Sequence, residues 1–524
     1  MQRTRYLIAA VLTAFVAAAA AQAQTTGDAR QVVTRAAEAL GGVERIQALR
    51  TLRFRGYGHD AYQDGGSLIT TEPTAPEKMN VLTAYERVID LPNGRTRVRA
   101  KQSRAFVFAA RAAMEGRAYE QALDGTIAFD VAPGGAGRRQ SSEVAVRRRM
   151  ELLAHPIVAV RAALEPRATV TNRRSEGAAT LVDVTTAGGE EFTLAVTTAT
   201  GLPLWVRWVG PHENLGDLTY RAEFSAYSPV NGVLVPLSFN TVSDFLDNVQ
   251  LRLHVDRYVL DGDVGDLAAP AAVRAAAEPP APTYAVDATV VVPGIWLLTG
   301  NGGANSVLLE FEDHLSLFEV PTSRAWTAAL LAKARSTVPG KPVTEAIISH
   351  HHFDHTGGLR TAIAEGLTIV TQTGNVAWFE DLARRRVEAF PDALSRNPQA
   401  IRTRAVDDHL RLSDSKLTVD VYRVVSNGHM AHGLLAYVPE HKLLIQGDLF
   451  DLNWEVYFWG NTYDDNVAYR KLEVERDVPI HGRVLPIAEV RAKLAEQTRN
   501  AAQLCAKVEA AGLSMPGCPL AWEE

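Results

Sequence analysis

The chain has 524 residues, of which 47% are hydrophobic and 22% are charged, and its formal net charge is −6. These values fit a soluble globular protein, and the sequence lacks the Lys/Arg blocks of nucleic-acid-binding proteins, so no nucleic-acid partner is expected. Because the length exceeds that of one ordinary domain, we expect two or three domains.

The first 23 residues have the pattern of a secretory signal peptide. Arg3 and Arg5 precede an apolar run over 6–21, and the small-x-small sequence AQA at 21–23 provides a cleavage site. An uncleaved membrane anchor is the alternative, but the run is short for a membrane span. We therefore expect removal of 1–23, a periplasmic or secreted location, and no stable membrane span after cleavage.

The sequence contains two cysteines, Cys505 and Cys518, and both lie near the C-terminus. In an oxidising compartment, two cysteines this close in sequence tend to pair. We therefore expect a disulfide between them, with two free thiols as the alternative.

Residues 24–262 are predicted to form an N-terminal α+β domain with a large antiparallel sheet. Apolar residues at helical spacing over 27–49 are interrupted by Gly41-Gly42, which predicts two short helices. The segment 142–164 predicts a helix bent at Pro156. The remaining segments alternate apolar and polar residues as strands do. These strand candidates begin at Leu52 and include 80–92, 96–109, 117–131, 178–186, 190–198, 203–209, 217–227, 233–242 and 248–260.

An Ala- and Pro-rich segment over 263–284 indicates an extended linker, and residues 285–524 form the last predicted domain. In that domain strand-like and helix-like segments alternate, which predicts a layered α/β fold. The strand candidates are the runs over 288–300, 306–320, 344–350, 367–372, 417–425, 433–448 and 477–486, and the helix candidates are 323–336, 356–366 and 488–512.

Four of the chain's fourteen histidines lie in six residues of the stretch AIISHHHFDHTGG, which spans 346–358. The apolar run ends at His350, and His350 and His352, two residues apart, can face one metal ion. Asp354 and His355 lie on the following turn and can face a second ion, whereas His351 points the other way. Imidazole and carboxylate donors suit borderline divalent ions such as zinc.

Three further candidate ligands also follow apolar strand-like runs, so all can meet at one edge of a sheet. They are His429 in SNGHMAHG, Asp448 in LLIQGDLF and His481 in VPIHGR. Closed structural zinc sites favour cysteine ligands, whereas this set of seven has no cysteine and two acids, which favours a catalytic site.

With these motifs in order, the region from about 288 to 485 resembles the metallo-β-lactamase superfamily. The resemblance depends on HHHFDHTGG, GHMAHGLLAYVPEHKLLIQGDLF and PIHGR. It implies an αββα sandwich with a dinuclear metal site at one edge of two sheets. It further implies that the first metal is held by three histidines, the second by Asp354 and two histidines, and that Asp448 bridges both. The histidines are His350, His352 and His429 for the first metal, and His355 and His481 for the second.

The bridging carboxylate is similar to that of glyoxalase II, ribonuclease Z and the lactonases, whereas the enzymes that destroy antibiotics usually have Cys or Ser there. For the third histidine, His429 is preferred because it follows Gly428 and lies eight residues before Tyr437, the spacing of the superfamily. His432 is the alternate, and its side chain is then expected near the metal or the substrate.

The resemblance implies an exported dinuclear hydrolase in which metal-activated hydroxide attacks an ester, lactone, thioester or amide carbonyl, with Asp354 as the catalytic proton-handling residue. Two Zn²⁺ ions are expected, although the ligands also suit Mn or Fe. The alternatives are a β-lactamase that hydrolyses β-lactam antibiotics and a ligand carrier or sensor with a vestigial metal site. The sequence leaves the oligomeric state open.

A small-molecule substrate is expected, and the aromatic segment 453–463 can line its pocket or pack beneath a loop. The candidates for substrate contact are Trp454, Tyr457, Trp459 and His432, and Arg360 is a further candidate for binding a substrate acid. The N-terminal domain resembles the periplasmic lipoprotein-carrier fold in its helix pair followed by a long antiparallel sheet, and this resemblance concerns fold alone.

Overall fold

The computed structural model describes residues 28–62, 71, 77–105, 116–512 and 518. The predicted signal peptide over 1–23 lies outside the described residues. Among the helices that are described, none is long and apolar enough to cross a membrane.

A single antiparallel sheet of 13 strands dominates the N-terminal region, defined here as residues 28–260. Its strands follow one another as a meander, except that β1 pairs with β13, so the first and last strands meet in the middle of the sheet. The strands are β1 Thr51–Ala61, β2 Met79–Asp90, β3 Arg95–Arg104, β4 Arg117–Asp124, β5 Ile127–Val131, β6 Gly137–Arg139, β7 Thr169–Glu176, β8 Ala179–Thr185, β9 Glu191–Thr197, β10 Pro203–His212, β11 Gly216–Val230, β12 Val233–Ser243 and β13 Val249–Leu260.

Four helices pack against this sheet and form the hydrophobic core of the N-terminal region together with it. They cover 28–40, Val43–Ala48, Ser142–Leu153 and Pro156–Leu164. Leu40, Ile46 and Ile157 are fully buried against strand residues such as Phe54 and Leu194. The large antiparallel sheet and the helix pair broken at Gly41-Gly42 are therefore confirmed, whereas the resemblance to lipoprotein carriers stays a prediction.

Three predicted segments divide differently in the structure. The strand candidate over 117–131 is a hairpin of β4 and β5, because Gly125 adopts a φ of 58° that turns the chain. The bent helix over 142–164 is two helices, since Pro156 begins the second one, where a missing amide hydrogen costs nothing. The linker over 263–284 is not extended throughout, because it contains the helix Ala271–Ala275, whose Val273 packs against Phe129.

Two further sheets form the C-terminal region, defined here as residues 286–512. The first has seven strands in the order β14 to β20, which are antiparallel up to β17 and parallel from there on. The second has six strands in the order β21 to β26, with one parallel pair, β24 with β25. The strands are β14 Val286–Val292, β15 Ile295–Gly300, β16 Ser306–Glu310, β17 Leu315–Phe318, β18 Val343–Ile347, β19 Thr368–Gln372, β20 Arg402–Val406, β21 His409–Ser413, β22 Thr418–Arg423, β23 Leu434–Val438, β24 Leu443–Gln446, β25 Arg476–Pro479 and β26 Leu485–Pro486.

Helices cover the outer faces of both sheets, which gives the four layers of an αββα sandwich. One buried cluster, including Ile347 and Val478, joins the facing sides of the sheets. A second joins the first sheet to its helices, and a third joins the second sheet to the long C-terminal helix. The α-helices are Arg324–Thr337, Phe353–Thr356, Leu359–Ala364, Val376–Arg384, Ala393–Arg396, Asn461–Tyr469 and Ile487–Ala510. The predicted sandwich is confirmed.

A disulfide links Cys505, in the helix Ile487–Ala510, to Cys518, which lies beyond the end of this helix, as the sequence predicts. Because the strands β18, β24 and β25 all end toward the same edge of the sandwich, the residues that follow them come together there.

Candidate metal centre

The first ligand loop, defined here as residues 349–357, follows β18 and includes a short helix. His352 caps the short helix Phe353–Thr356, and its carbonyl accepts hydrogen bonds from the amides of His355 and Thr356. Gly357 then passes so close to Thr322 that a Cβ would lie 2.2 Å from the backbone of Thr322. Only glycine fits at this position, which allows the backbone just after Asp354 and His355 to pack directly on Thr322.

Asp448 lies at the centre of the candidate ligands, directly after β24. Its Oδ2 lies 2.7 Å from His429 Nε2, 3.3 Å from His355 Nε2 and 3.6 Å from His350 Nε2. Its Oδ1 lies 3.3 Å from His481 Nε2 and has no hydrogen-bond partner among the described residues. One carboxylate therefore touches histidines from both predicted halves of the site.

The donor atoms fall into two groups that share Asp448. The first group consists of His350, His352, His429 and Asp448, and the second of Asp354, His355, His481 and Asp448. In the first, His350 Nε2 and His352 Nδ1 lie 2.9 Å apart, and in the second, His481 Nε2 lies 3.6 Å from Asp354 Oδ2. Donors around one tetrahedral zinc ion lie about 3.3 Å apart. The spacing and chemistry of both groups therefore fit a divalent cation.

Burial and neighbouring charges set the protonation of the cluster. Burial lowers the pKa of His350 and of His352 well below the usual value, and Lys78 contributes further at His352. At His355 burial acts in the same direction, but Asp448, Asp354 and Glu319 outweigh it and raise the pKa well above the usual value. His350 and His352 of the first group are therefore neutral imidazoles, and the second group carries negative potential that a cation would neutralise.

Glu319 supports the ligand loop from beneath. Its Oε1 accepts the amide of Ser349 and lies 3.3 Å from His355 Nδ1, so His355 Nε2 faces the cluster. Glu319 is fully buried and has a φ of 78°, which is unfavourable for a residue with a side chain. The next non-glycine residue in this conformation, Thr322 with φ 54°, binds the carbonyl of Asp354 through its amide. Residues 319–322 therefore hold Ser349, Asp354 and His355 in place.

A buried network holds the loop that carries Asp448. Gln446 accepts the amides of Leu449 and Phe450, and its Nε2 donates to Asp477, which also accepts the hydroxyl of Tyr463. Burial raises the pKa of Asp477 to about 7, so this carboxyl is protonated over the acidic range.

His429 and His432, the two candidates for the third histidine ligand, occupy different positions in the structure. His429 lies in the first group, whereas the His432 ring packs over the backbone of Gly374 and its carbonyl accepts Asn375 Nδ2. His351 is fully buried, faces Trp378 edge-on and does not belong to either group. The expectation that His351 points away from the metals therefore agrees with its position.

The predicted aromatic residues lie beside the first group. The rings of Trp454 and Trp459 have their centroids 5.8 and 6.4 Å from that of His429, and both are partly exposed. Tyr457 is buried, its ring lies tilted against that of Trp454 with centroids 4.6 Å apart, and its hydroxyl donates to the carbonyl of Asp448. Trp459 crosses Gly428 so closely that a Cβ there would lie 2.2 Å from its indole nitrogen.

The suggestion that Arg360 binds a substrate acid is wrong for this structure. Arg360 is buried and its guanidinium is paired with Asp392, at 2.5 and 3.3 Å, and with the carbonyls of Leu382 and Ala383. It therefore anchors the helix Val376–Arg384 instead of facing the cluster.

Sequence reasoning missed four residues at this site. Glu319 and Asp477 lie on strands or strand ends without a recognisable spacing to the ligands. Lys78 and Asn214 come from the N-terminal region, where Lys78 Nζ lies 2.8 Å from His352 Nε2 and Asn214 Nδ2 donates to the carbonyl of Phe353. The sequence carries no local signal for such contacts, because they join residues more than 100 positions apart.

One family model matches a part of the C-terminal region. Residues 299–453 match the family model of the metallo-beta-lactamase superfamily. Solved structures that resemble the chain include a metallo-beta-lactamase from Pontibacter korlensis, at 16% identity and a TM-score of 0.33 over 41% of this chain and 99% of that one. DIM-1 metallo-beta-lactamase has 16% identity and a TM-score of 0.33 over 41% and 98%, and VMB-1 has 14% and 0.32 over 41% and 98%. No curated protein matches the chain significantly.

Proposed function

We propose that this chain, whose residues 299–453 belong to the metallo-beta-lactamase superfamily, is a dinuclear metal-dependent hydrolase of ester, lactone, thioester or amide substrates. Membership of the superfamily supports a metal-dependent hydrolase. The observation that carries the finer proposal is the position of Asp448, which both donor groups share. A carboxylate shared by two sets of donors can hold two cations close together, which a two-metal hydrolytic site needs.

Two divalent cations at these groups would supply Lewis acidity and lower the pKa of water enough for it to act as a nucleophile near neutral pH. In this proposal Asp448 fixes the separation of the two positions. The imidazoles of His350, His352 and His429 would hold the first cation. Asp354, His355 and His481 bind the second. The proposed ions are two Zn²⁺, and Mn or Fe suits the same donors.

Asp354 is the best candidate for proton transfer. Its side chain is 32% exposed, whereas that of Asp448 is 5% exposed, so Asp354 is the acid that a substrate or leaving group can reach. His355 and His481 lower its pKa against the opposing effect of burial, so the carboxylate is ionised.

The substrate pocket in this proposal lies next to His429. Trp454 and Trp459 present partly exposed aromatic faces there, which favours a small-molecule substrate with an apolar group beside its scissile carbonyl. Tyr457 supports this wall from beneath, and His432 lies further from the donor groups. These four residues remain proposed substrate contacts or supports.

We also propose that the protein is exported and acts in the periplasm or outside the cell. The apolar leader with its AQA sequence supports this, and the Cys505–Cys518 disulfide is compatible with it. The proposed domains are 24–262 and 285–524, joined by 263–284.

The test combines metal analysis with a panel of chromogenic ester, lactone, thioester and cephalosporin substrates. We expect about two metal ions per chain and turnover of at least one carbonyl substrate. Asp354→Ala should reduce that turnover by about a hundredfold or more, as loss of a proton-transfer residue does. Turnover confined to the cephalosporin would identify a β-lactamase instead. A protein without bound metal that still binds ligands would identify a carrier or sensor.

A further inference from the structure

The turn between β10 and β11 of the N-terminal region lies directly on the outside of the first ligand loop. This turn comprises residues 213–215 and projects from the sheet toward the helix Phe353–Thr356. At its start, the ring of His212 meets the ring of Phe353 edge-on at 5.2 Å. Phe353 is the residue immediately before Asp354, so the turn contacts the backbone segment that carries two candidate ligands.

Asn214 makes the hydrogen bonds between this turn and the first ligand loop. Its Nδ2 donates to the carbonyl of Phe353 at 3.3 Å and to Thr356 Oγ1 at 3.4 Å. These two acceptors flank Asp354 and His355, and Thr356 Oγ1 in turn donates to the carbonyl of His352 at 3.0 Å. Asn214 is 7% exposed, so its hydrogen bonds are made away from water, where losing them is most costly.

The turn is itself held rigidly against the C-terminal region. Leu215 belongs to the same buried cluster as Phe353 and Trp378. Its carbonyl accepts Arg385 Nε at 2.6 Å, and Asp217 exchanges backbone and side-chain hydrogen bonds with residues 386 and 389. Polar and apolar contacts together fix the position of Asn214 relative to the first ligand loop.

A second residue of the N-terminal region reaches the other donor group. Lys78, just before β2, lies 2.8 Å from His352 Nε2, on the side of the ring opposite the Nδ1 atom that faces His350. Glu77 next to it accepts the amide of Val249 and so ties this segment to β13. The N-terminal region therefore touches both halves of the candidate centre from outside.

From these contacts we propose that the N-terminal region is a structural part of the metal centre and that Asn214 is a positioning residue for Asp354 and His355. Asn214 holds the carbonyl of Phe353 and the hydroxyl of Thr356, which flank these two ligands in the chain. Both ligands therefore keep their orientation toward the second cation. This inference rests on the proposed function only in assuming that the second donor group binds a divalent cation.

The test uses the full chain, freed of metal and titrated with Co²⁺, whose visible absorption bands report the ligand geometry of each bound ion. Asn214→Ala removes both hydrogen bonds, and Asn214→Asp keeps the shape of the side chain but removes the donor. In both variants we expect one of the two Co²⁺ equivalents to bind about 10- to 100-fold more weakly, with altered bands, as loss of a partner behind a metal ligand typically causes. The other equivalent should bind as in the unsubstituted chain.

Asn240→Ala is the matched control, because the Asn240 amide also donates to another side chain, Glu223, but lies within the N-terminal sheet. It should leave both equivalents unchanged. Unchanged binding of both equivalents by Asn214→Asp would overturn the proposal, and so would an equal weakening of both equivalents. If the unsubstituted chain binds no Co²⁺, the proposed dinuclear function fails independently of Asn214, and if Co²⁺ binds without any turnover of the substrate panel, only the substrate assignment fails.

Discussion

Each region of the molecule buries a histidine almost completely, and the two behave in opposite ways. His155 of the N-terminal region is 1% exposed and packs among the rings of Phe54, Phe239 and Tyr258. Burial lowers its pKa to about 3, with Arg87 contributing in the same direction. His355 of the C-terminal region is 0% exposed, yet its pKa is raised well above the usual value.

The difference comes from the partners and not from the burial. His355 is surrounded by three carboxylates, those of Asp448, Asp354 and Glu319, which outweigh the cost of burial. Among the described residues, the imidazole of His155 has one hydrogen-bond partner, the hydroxyl of Tyr258 at 3.4 Å. A buried histidine therefore indicates chemistry only where other ionisable groups converge on it, and elsewhere it is a packed ring.

The strongest way to break this comparison is to remove the carboxylate that joins the two donor groups. In Asp448→Ala both groups lose a donor, so we expect both cations to be lost and turnover to fall by about a thousandfold or more. Metal content by elemental analysis and turnover of the best panel substrate measure the effect. The exposed Asp464→Ala, on the helix Asn461–Tyr469, is the control and should change neither. Retention of two tightly bound metals by Asp448→Ala would contradict the assignment of the shared ligand.

A more selective change removes one charge behind His355. Glu319→Gln keeps the shape of the side chain but removes the negative charge that holds His355 Nδ1. We expect affinity for one of the two metal ions to fall by about 10- to 100-fold, the usual effect of losing a carboxylate behind a metal-bound histidine. Competition of the bound metal with a chromogenic chelator measures this affinity. Equal loss of both metals would mean that Glu319 supports the whole loop and not His355 in particular.

The seven candidate ligands could be grouped from the sequence because each follows an apolar strand-like run, and strands of one sandwich end at common edges; the structure brings the same seven residues together. The sandwich and the N-terminal sheet were predictable because the alternation of apolar and polar residues that marks a strand or helix can be read within each short segment. Glu319 was not predictable, because its role depends on a φ of 78° that brings it beneath Ser349. Asn214 and Lys78 were not predictable either, because only the packing of the two regions brings them to the loop. The charged strand β20 was missed because Arg402 and Arg404 interrupt the apolar pattern.

Asp477 of the C-terminal region resembles His155 in that burial shifts its pKa in favour of the neutral form. Its pKa is raised to about 7, whereas an unfolded Asp has the ordinary value of 3.8. As the pH rises from 3.8 toward 7, the unfolded chain releases this proton and the folded chain retains it, so stability falls, by roughly 4 kcal/mol in total. Asp477→Asn, which stays neutral, should lack this loss. Urea unfolding of the metal-free protein across that range measures the difference, and parallel curves for variant and unsubstituted chain would contradict the shifted pKa.

The smallest predicted effect concerns His155 and has the opposite sign. An unfolded His takes up a proton below its ordinary pKa of 6.5, whereas the folded chain resists protonation until about 3, so stability is lost as the pH falls through this window. Between about pH 7 and about pH 5 the loss is roughly 2 kcal/mol. His155→Phe keeps an aromatic ring among Phe54 and Phe239 and removes the titrating group, so its unfolding free energy should fall less over this interval than that of the unsubstituted chain. Because both proteins keep the same ligand histidines, protonation of the metal centre cancels in the difference. Co²⁺ binding should be identical in both proteins, and a change in either metal equivalent would show that His155 is coupled to the centre after all.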